Sequence, residues 1–297
     1  MPHSVTRRHA LAGLAASGAA LSLPQLARAA GHDATFKTRM MGDMKITTLL
    51  ASTRTVSNPH NIFGINVSEE TFNAAAADAG LDPAGMEFFF TPTLIEMGGE
   101  KILFDTGTSA DAMRDSLAHA GHSPDEITKI VLTHMHGDHI SGLMSDGAET
   151  FANAEYFAGA YEFDEWDMSG DEAFETFVRP ISDADKFAFL EGGDSVASGV
   201  TAVETFGHSP GHMSYRIESG GQQVLIGGDF TNHYIYSLAN PDWHLLFDRD
   251  KEQAAQTRRA TLDMLATDKI ALIGYHMPFP GYGMVEKDGD GFRWVAA

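Results

Sequence analysis

Cysteine is absent from all 297 residues. No disulfide can staple the chain, and thiolate-bound zinc ribbons and iron–sulfur clusters are excluded. Any metal must sit on His, Asp or Glu. Positive charge is scarce as well: 20 Lys and Arg face 41 Asp and Glu, a net charge of −21. Residues 1–29 hold Arg7, Arg8 and Arg28 and no acid, so the remainder carries −24. Such a body argues against nucleic acid and anionic membrane as partners. It also disfavours a strongly anionic substrate, unless a local cationic centre such as a metal pair overrides the field. No apolar run is long and clean enough for a permanent membrane span. A small-molecule substrate is the expected partner.

The first 29 residues read as an address rather than as fold. Arg7 and Arg8 precede an Ala/Gly-rich, weakly apolar stretch from Ala10 to Leu23, and Ala27-Arg28-Ala29 fits a small-x-small cleavage site. Paired arginines followed by Leu11 resemble a twin-arginine (Tat) signal. The expectation is a signal peptide over 1–29, cleavage near Ala29, a periplasmic protein, and one domain over 30–297. That length suits a single large α/β domain.

Short apolar runs at 44–51, 88–97, 101–107, 127–134, 154–159, 200–206, 214–219, 222–229 and 269–276 predict strands. Helical spacing appears at 109–121 and most clearly at 248–268. Strands mixed with helices over one length predict one layered α/β domain. Two stretches, 52–87 and 160–190, fit the core pattern poorly and are expected to be lids, pocket walls or oligomer contacts.

The chemistry concentrates in THMHGDHI, residues 133–140, where His134, His136, Asp138 and His139 follow the run KIVL directly. A loop leaving a buried strand can turn such side chains toward one point. His134 and His136 can reach one ion, and Asp138 and His139 a second close by. Three more metal-binding side chains follow apolar strands: His212 in GHSPGHM, Asp229 ending QQVLIGGD and His276 ending KIALIGYH. Imidazole and carboxylate without thiolate suit zinc, with manganese, iron or cobalt as alternatives.

The order H-x-H-x-D-H, then His, Asp and His, with the LFDTG and SPGH turns, resembles the metallo-β-lactamase-fold hydrolases. The resemblance covers nearly all of the chain after the signal. It implies a four-layer αβ/βα sandwich with two divalent metal ions at one edge. Carried over, His134, His136 and His212 bind one ion, Asp138, His139 and His276 the other, and Asp229 bridges them. Asp105 orients a ligand without being one, and Asp138 is the catalytic carboxylate. The implied activity is a binuclear metal-dependent hydrolase that uses a metal-bridging hydroxide on a neutral ester, lactone or phosphotriester. The C-terminal run GYHMPFPGYGMVEKDGDGFRWV is similar to the end of methyl parathion hydrolase-like enzymes, which adds an expected homodimer. Alternatives are an acyl-homoserine lactonase or β-lactamase activity, or a mononuclear iron sulfur dioxygenase. Quorum-signal lactonases of this fold carry Tyr three residues after the bridging Asp, where this chain has Asn232. Phe63, Phe88, Phe89, Trp166 and Phe279 are the expected apolar pocket, and His233, Tyr234 and Tyr236 candidates to assist a leaving group.

Overall fold

A computed structural model describes residues 35–297; the expected signal, 1–29, lies outside the described residues. Two seven-stranded sheets make the frame. The first runs, in spatial order, Phe36–Met41, Met44–Leu49, Thr93–Met97, Glu100–Phe104, Lys129–Val131, Glu155–Gly159 and Phe187–Leu190. The second runs Ser195–Ala197, Val200–Glu204, Met213–Ser219, Gln222–Ile226, Ala271–Ile273, Tyr282–Asp288 and Gly291–Ala296.

The strand alternation explains the layering. In ILF, Ile102 and Phe104 point between the sheets while Leu103 points outward; Val224 and Ile226 point inward and Leu225 outward. Side chains of a strand alternate faces, so an unbroken apolar run is buried on both sides. Ile46, Ile102, Phe104 and Val131 of the first sheet meet Ile217, Val224, Ile226 and Ile273 of the second in one central core. The outer face of the first sheet is covered by the helix Ala110–His119 through Met113 and Leu117. The outer face of the second is covered by the helix Lys251–Asp268 through Leu262 and Leu265. The result is the expected four-layer αβ/βα sandwich.

Both covering helices start at a capped end. Ser109 Oγ accepts from Ala112 N, and the Asp250 side chain accepts from Gln253 N. Each lies in a crossover between parallel neighbours, Glu100–Phe104 with Lys129–Val131 and Gln222–Ile226 with Ala271–Ile273.

The strand expected at 88–97, interrupted by Pro92, is two strands that part at Thr91 and Pro92. Gly85–Phe90 pairs with Ser52–Ser57 in a two-stranded ribbon, and Thr93–Met97 enters the first sheet. The ribbon and the helix Glu69–Asp78 form a satellite cluster around Phe63, Phe72, Phe88 and Tyr236. Most of the insertion at 52–87 thus packs as a satellite cluster, and only Ser52, Thr53 and Arg54 of it line a chamber. The stretch 160–190 packs Phe174, Val178 and Ile181 onto the first sheet and ends in its edge strand Phe187–Leu190.

Candidate metal centre

The donors lie where strands end on one edge of the sandwich. Asp105 follows Glu100–Phe104, the histidine loop follows Lys129–Val131, Asp229 follows Gln222–Ile226 and His276 follows Ala271–Ile273. Met213 N donates to Thr133 O at 2.8 Å and stitches the two sheets together at this edge.

Two groups of donors share Asp229. In the first, His136 Nδ1 lies 2.9 Å from His134 Nε2 and 3.0 Å from His208 Nε2. In the second, Asp138 Oδ2 lies 3.7 Å from His139 Nε2 and 3.4 Å from His276 Nε2. The Asp229 carboxylate sits between them: Oδ2 is 3.4 Å from His208 Nε2 and 3.1 Å from His276 Nε2, and Oδ1 is 3.4 Å from His139 Nε2. Six of the expected site residues (His134, His136, Asp138, His139, Asp229 and His276) thus come together.

His212 does not join them; His208 stands in its place. Thr205 Oγ1 lies 2.8 Å from His212 Nδ1, and His212 Nε2 accepts the Asp229 backbone N–H at 2.9 Å. Both ring nitrogens are used within the protein, so His212 shapes the Asp229 loop instead of offering a lone pair. Gly228, at φ +58, makes this close passage possible, since a Cβ there would lie 2.6 Å from His212 Nε2. GHSPGH holds both histidines, four residues apart, and only the turn geometry tells them apart.

Neighbouring groups orient the donors. Asp105, at φ 59, accepts from Thr133 N at 2.8 Å through one oxygen and lies 2.8 Å from His139 Nδ1 through the other. This is the orienting role expected of it. His276 Nδ1 donates to Phe89 O at 2.8 Å. Tyr275 Oη donates to Asp138 O at 2.6 Å, and its ring stacks on His139 at 3.9 Å. The buried Glu162 joins both ligand loops, accepting from Met135 N at 3.1 Å, Ser209 Oγ at 2.8 Å and Gly211 N at 2.8 Å. Burial pushes its carboxyl above the usual range against those donors.

The electrostatics suit cations. Burial, and then neighbouring histidines, push His134 well below the ordinary imidazole range and His136 down to about 3. Both shifts favour the neutral imidazole, the form that binds a metal. Burial opposes charge on Asp229, but His276 and His139 beside it hold it well below the carboxylate range. Burial likewise opposes charge on His139, yet Asp229, Asp105 and Asp138 push it well above its usual value. His139 Nε2 and Asp229 Oδ1 are buried without a hydrogen-bond partner. Buried orphans of this kind need an explanation, and a bound ion supplies one. Five ring nitrogens in two groups, with two carboxylates, fit a pair of divalent ions.

These donors floor a chamber of about 670 Å³. Its walls are Phe88, Phe90, Leu245 and Phe247, with Arg54 at the rim and Asn232 beside Asp229. Of the expected apolar pocket, Phe88 lines this chamber and Trp166 lines an adjoining cleft of about 390 Å³ that shares His136 and Phe247. Phe63 packs in the satellite cluster instead. His233 caps a helical turn, its Nδ1 accepting from Ile235 N and Tyr236 N at 3.1 Å, and burial lowers it to about 3. Tyr236 stacks on Phe72 at 4.4 Å.

Comparison with known proteins decides the family. The profile of the metallo-beta-lactamase superfamily matches residues 91–275, from just before the first sheet's third strand to the residue before His276. The chain belongs to the metallo-β-lactamase superfamily. Among curated members, an N-acyl homoserine lactonase of Bacillus thuringiensis is 31% identical over 127 residues, 42% of this chain and 47% of that protein. The lactamase-like protein nscB of Neosartorya fischeri is 30% identical over 165 residues, 55% of this chain and 44% of that protein. The chain thus spans about half the length, 47%, of the lactonases it matches. Among solved structures, AidC, a dizinc quorum-quenching lactonase, superposes with a TM-score of 0.81 at 23% identity, covering 88% of this chain and 97% of that one. The hydrolase AbOPH superposes with a TM-score of 0.82 at 24% identity, covering 89% and 98%. The metallo-β-lactamase fold expected from the motif is the fold found.

Proposed function

We propose that this chain is a dinuclear metal-dependent hydrolase acting on a neutral ester or lactone. The observation that carries the reading is the Asp229 carboxylate lying between two complete donor groups at the floor of an apolar-walled chamber. His134, His136 and His208 would hold one ion, Asp138, His139 and His276 the other, and Asp229 both. Zinc suits these nitrogens and carboxylates best. When bound, such a pair supplies a deprotonated water at neutral pH and draws charge from the scissile carbonyl or phosphoryl group.

The protein's own groups do the rest. Asp138 is the more open of the two central carboxylates, its side chain 30% exposed against 5% for Asp229. Burial raises it, but His139 and His276 hold it well below the carboxylate range. A proton taken from the attacking water onto Asp138 is therefore readily passed to the leaving oxygen. The Phe88, Phe90 and Leu245 walls exclude water and receive an acyl or aryl group.

A lactone is favoured by the lactonases among both the curated relatives and the fold neighbours. The C-terminal likeness to methyl parathion hydrolase-like enzymes favours an aryl ester or phosphotriester, and a homodimer. Hydrolysis of acyl-homoserine lactones, p-nitrophenyl esters and paraoxon-type triesters, measured side by side, tests the reading. Turnover on one class supports it, and none on any sinks it.

Asn232 is the group expected to touch the substrate from the protein side. It is 2% exposed, lines the chamber, and its Oδ1 has no hydrogen-bond partner. Asn232→Ala is expected to lower kcat about tenfold or more while two ions stay bound. An unchanged kcat removes Asn232 from the reaction.

Periplasmic export is proposed with this activity, on the strength of the paired arginines. Arg7→Lys with Arg8→Lys is expected to trap precursor in the cytoplasm. Normal periplasmic yield refutes it.

A further inference from the structure

The helix Lys251–Asp268 covers the second sheet, yet it buries a charge: Arg258 is 0% exposed. Its guanidinium donates four hydrogen bonds. Nε reaches Phe230 O at 3.1 Å, Nη1 reaches Pro241 O at 3.0 Å and Trp243 O at 2.9 Å, and Nη2 reaches Asp248 Oδ2 at 2.8 Å. The other Asp248 oxygen lies 2.9 Å from His208 Nδ1. One buried cation therefore fixes two segments and, through Asp248, reaches a third. Phe230 follows Asp229 in the chain, Pro241 to Asp248 form the loop above the chamber, and Asp248 contacts His208.

The chemistry of the last contact is decisive. An ionised carboxylate only accepts, so the proton of a neutral His208 sits on Nδ1. Its Nε2 then carries a lone pair, aimed at His136 Nδ1 3.0 Å away and beside Asp229 Oδ2 at 3.4 Å. An ion pair as deeply buried as Arg258–Asp248 is weak evidence of a stabilising role, since apolar replacements often do as well. Its place behind a donor nitrogen speaks for positioning.

We propose that Asp248 and Arg258 form a buried relay that sets the tautomer and position of His208, and so the affinity of the metal position built by His134, His136 and His208. The relay rests on the dinuclear reading above. Arg258 also steadies the Asp229 loop through Phe230 O, so the same guanidinium maintains the spacing between the two positions.

Asp248→Asn tests it. The amide keeps the shape but offers one oxygen, which Arg258 claims. Its NH2 then faces His208 Nδ1, which must accept, and the ring proton moves to Nε2, where it blocks the donor lone pair. Chelator competition on the full-length, zinc-loaded protein should show one position weakened about 10- to 100-fold and the other unchanged, on top of a lowered melting temperature, because Arg258 keeps its buried charge without a counter-charge. Two ions at wild-type affinity in the variant overturn the relay. So does equal weakening of both positions, which marks a merely structural pair. If the variant does not fold, ring nitrogen-15 NMR of the zinc-loaded wild type decides: a proton on His208 Nδ1 is expected, and an unprotonated Nδ1 contradicts the relay. Wild-type protein that binds fewer than two ions rejects the dinuclear reading itself. Two ions in both proteins reject only the relay.

Discussion

Asp229→Ala is expected to abolish binding at both metal positions and to lower kcat/KM by about three orders of magnitude or more, some 4 kcal/mol of transition-state stabilisation. No other side chain among the described residues has one oxygen 3.4 Å from His208 Nε2 and the other 3.4 Å from His139 Nε2. Removing it takes a ligand from each ion and a negative charge from the site at once. The fold should survive, because Asp229 stands at the sheet edge and outside the apolar cores. Elemental analysis of the folded variant checks the first effect and steady-state kinetics the second. Two ions retained with full turnover would show that Asp229 does not bridge.

The second large effect separates two histidines that the sequence leaves equivalent. His208→Ala is expected to lose the ion shared with His134 and His136, and most activity with it, and also to lower the melting temperature of the metal-free protein, because Asp248 Oδ1 loses its buried donor. His212→Ala should lose stability while keeping its metal. It leaves the buried Asp229 N–H without its acceptor and Thr205 Oγ1 without the Nδ1 contact. That costs about 1–3 kcal/mol of stability, yet two ions should still bind. Metal content and thermal melting of the two variants, compared with wild type, make the test. Metal loss in His212→Ala with full occupancy in His208→Ala would return the assignment to His212.

How far the sequence was legible depends on whether a feature is local. Strands buried on both faces, such as Glu100–Phe104, Gln222–Ile226 and Ala271–Ile273, announce themselves as apolar runs. Edge and outer strands do not. Phe36–Met41 carries Lys37, Thr38 and Arg39, and Phe187–Leu190 lies in a stretch of aromatics and acids that also packs as helix. Their pairing is set by partners far along the chain. The loop 133–140 was legible as a metal site because four donors crowd one turn. His208 was not separable from His212, since the distinction lies in which ring the Thr205 hydroxyl and the Asp229 amide engage. One signal was available: His212 directly precedes the strand Met213–Ser219, where a ring is more readily drawn into the sheet's own packing than in the open turn. Glu162, Asp248 and Arg258 left no local mark at all. A buried arginine within a helix of ordinary amphipathic look becomes visible only when its four acceptors are in place.

The central claim is that this chain holds two divalent ions on seven side chains, with His208 among them. Zinc titration of the chelator-stripped protein, followed by calorimetry and elemental analysis, tests it most directly. Two ions per chain, with hydrolysis and a higher melting temperature restored together, is the predicted result. A single ion at saturating zinc, or none, would contradict it.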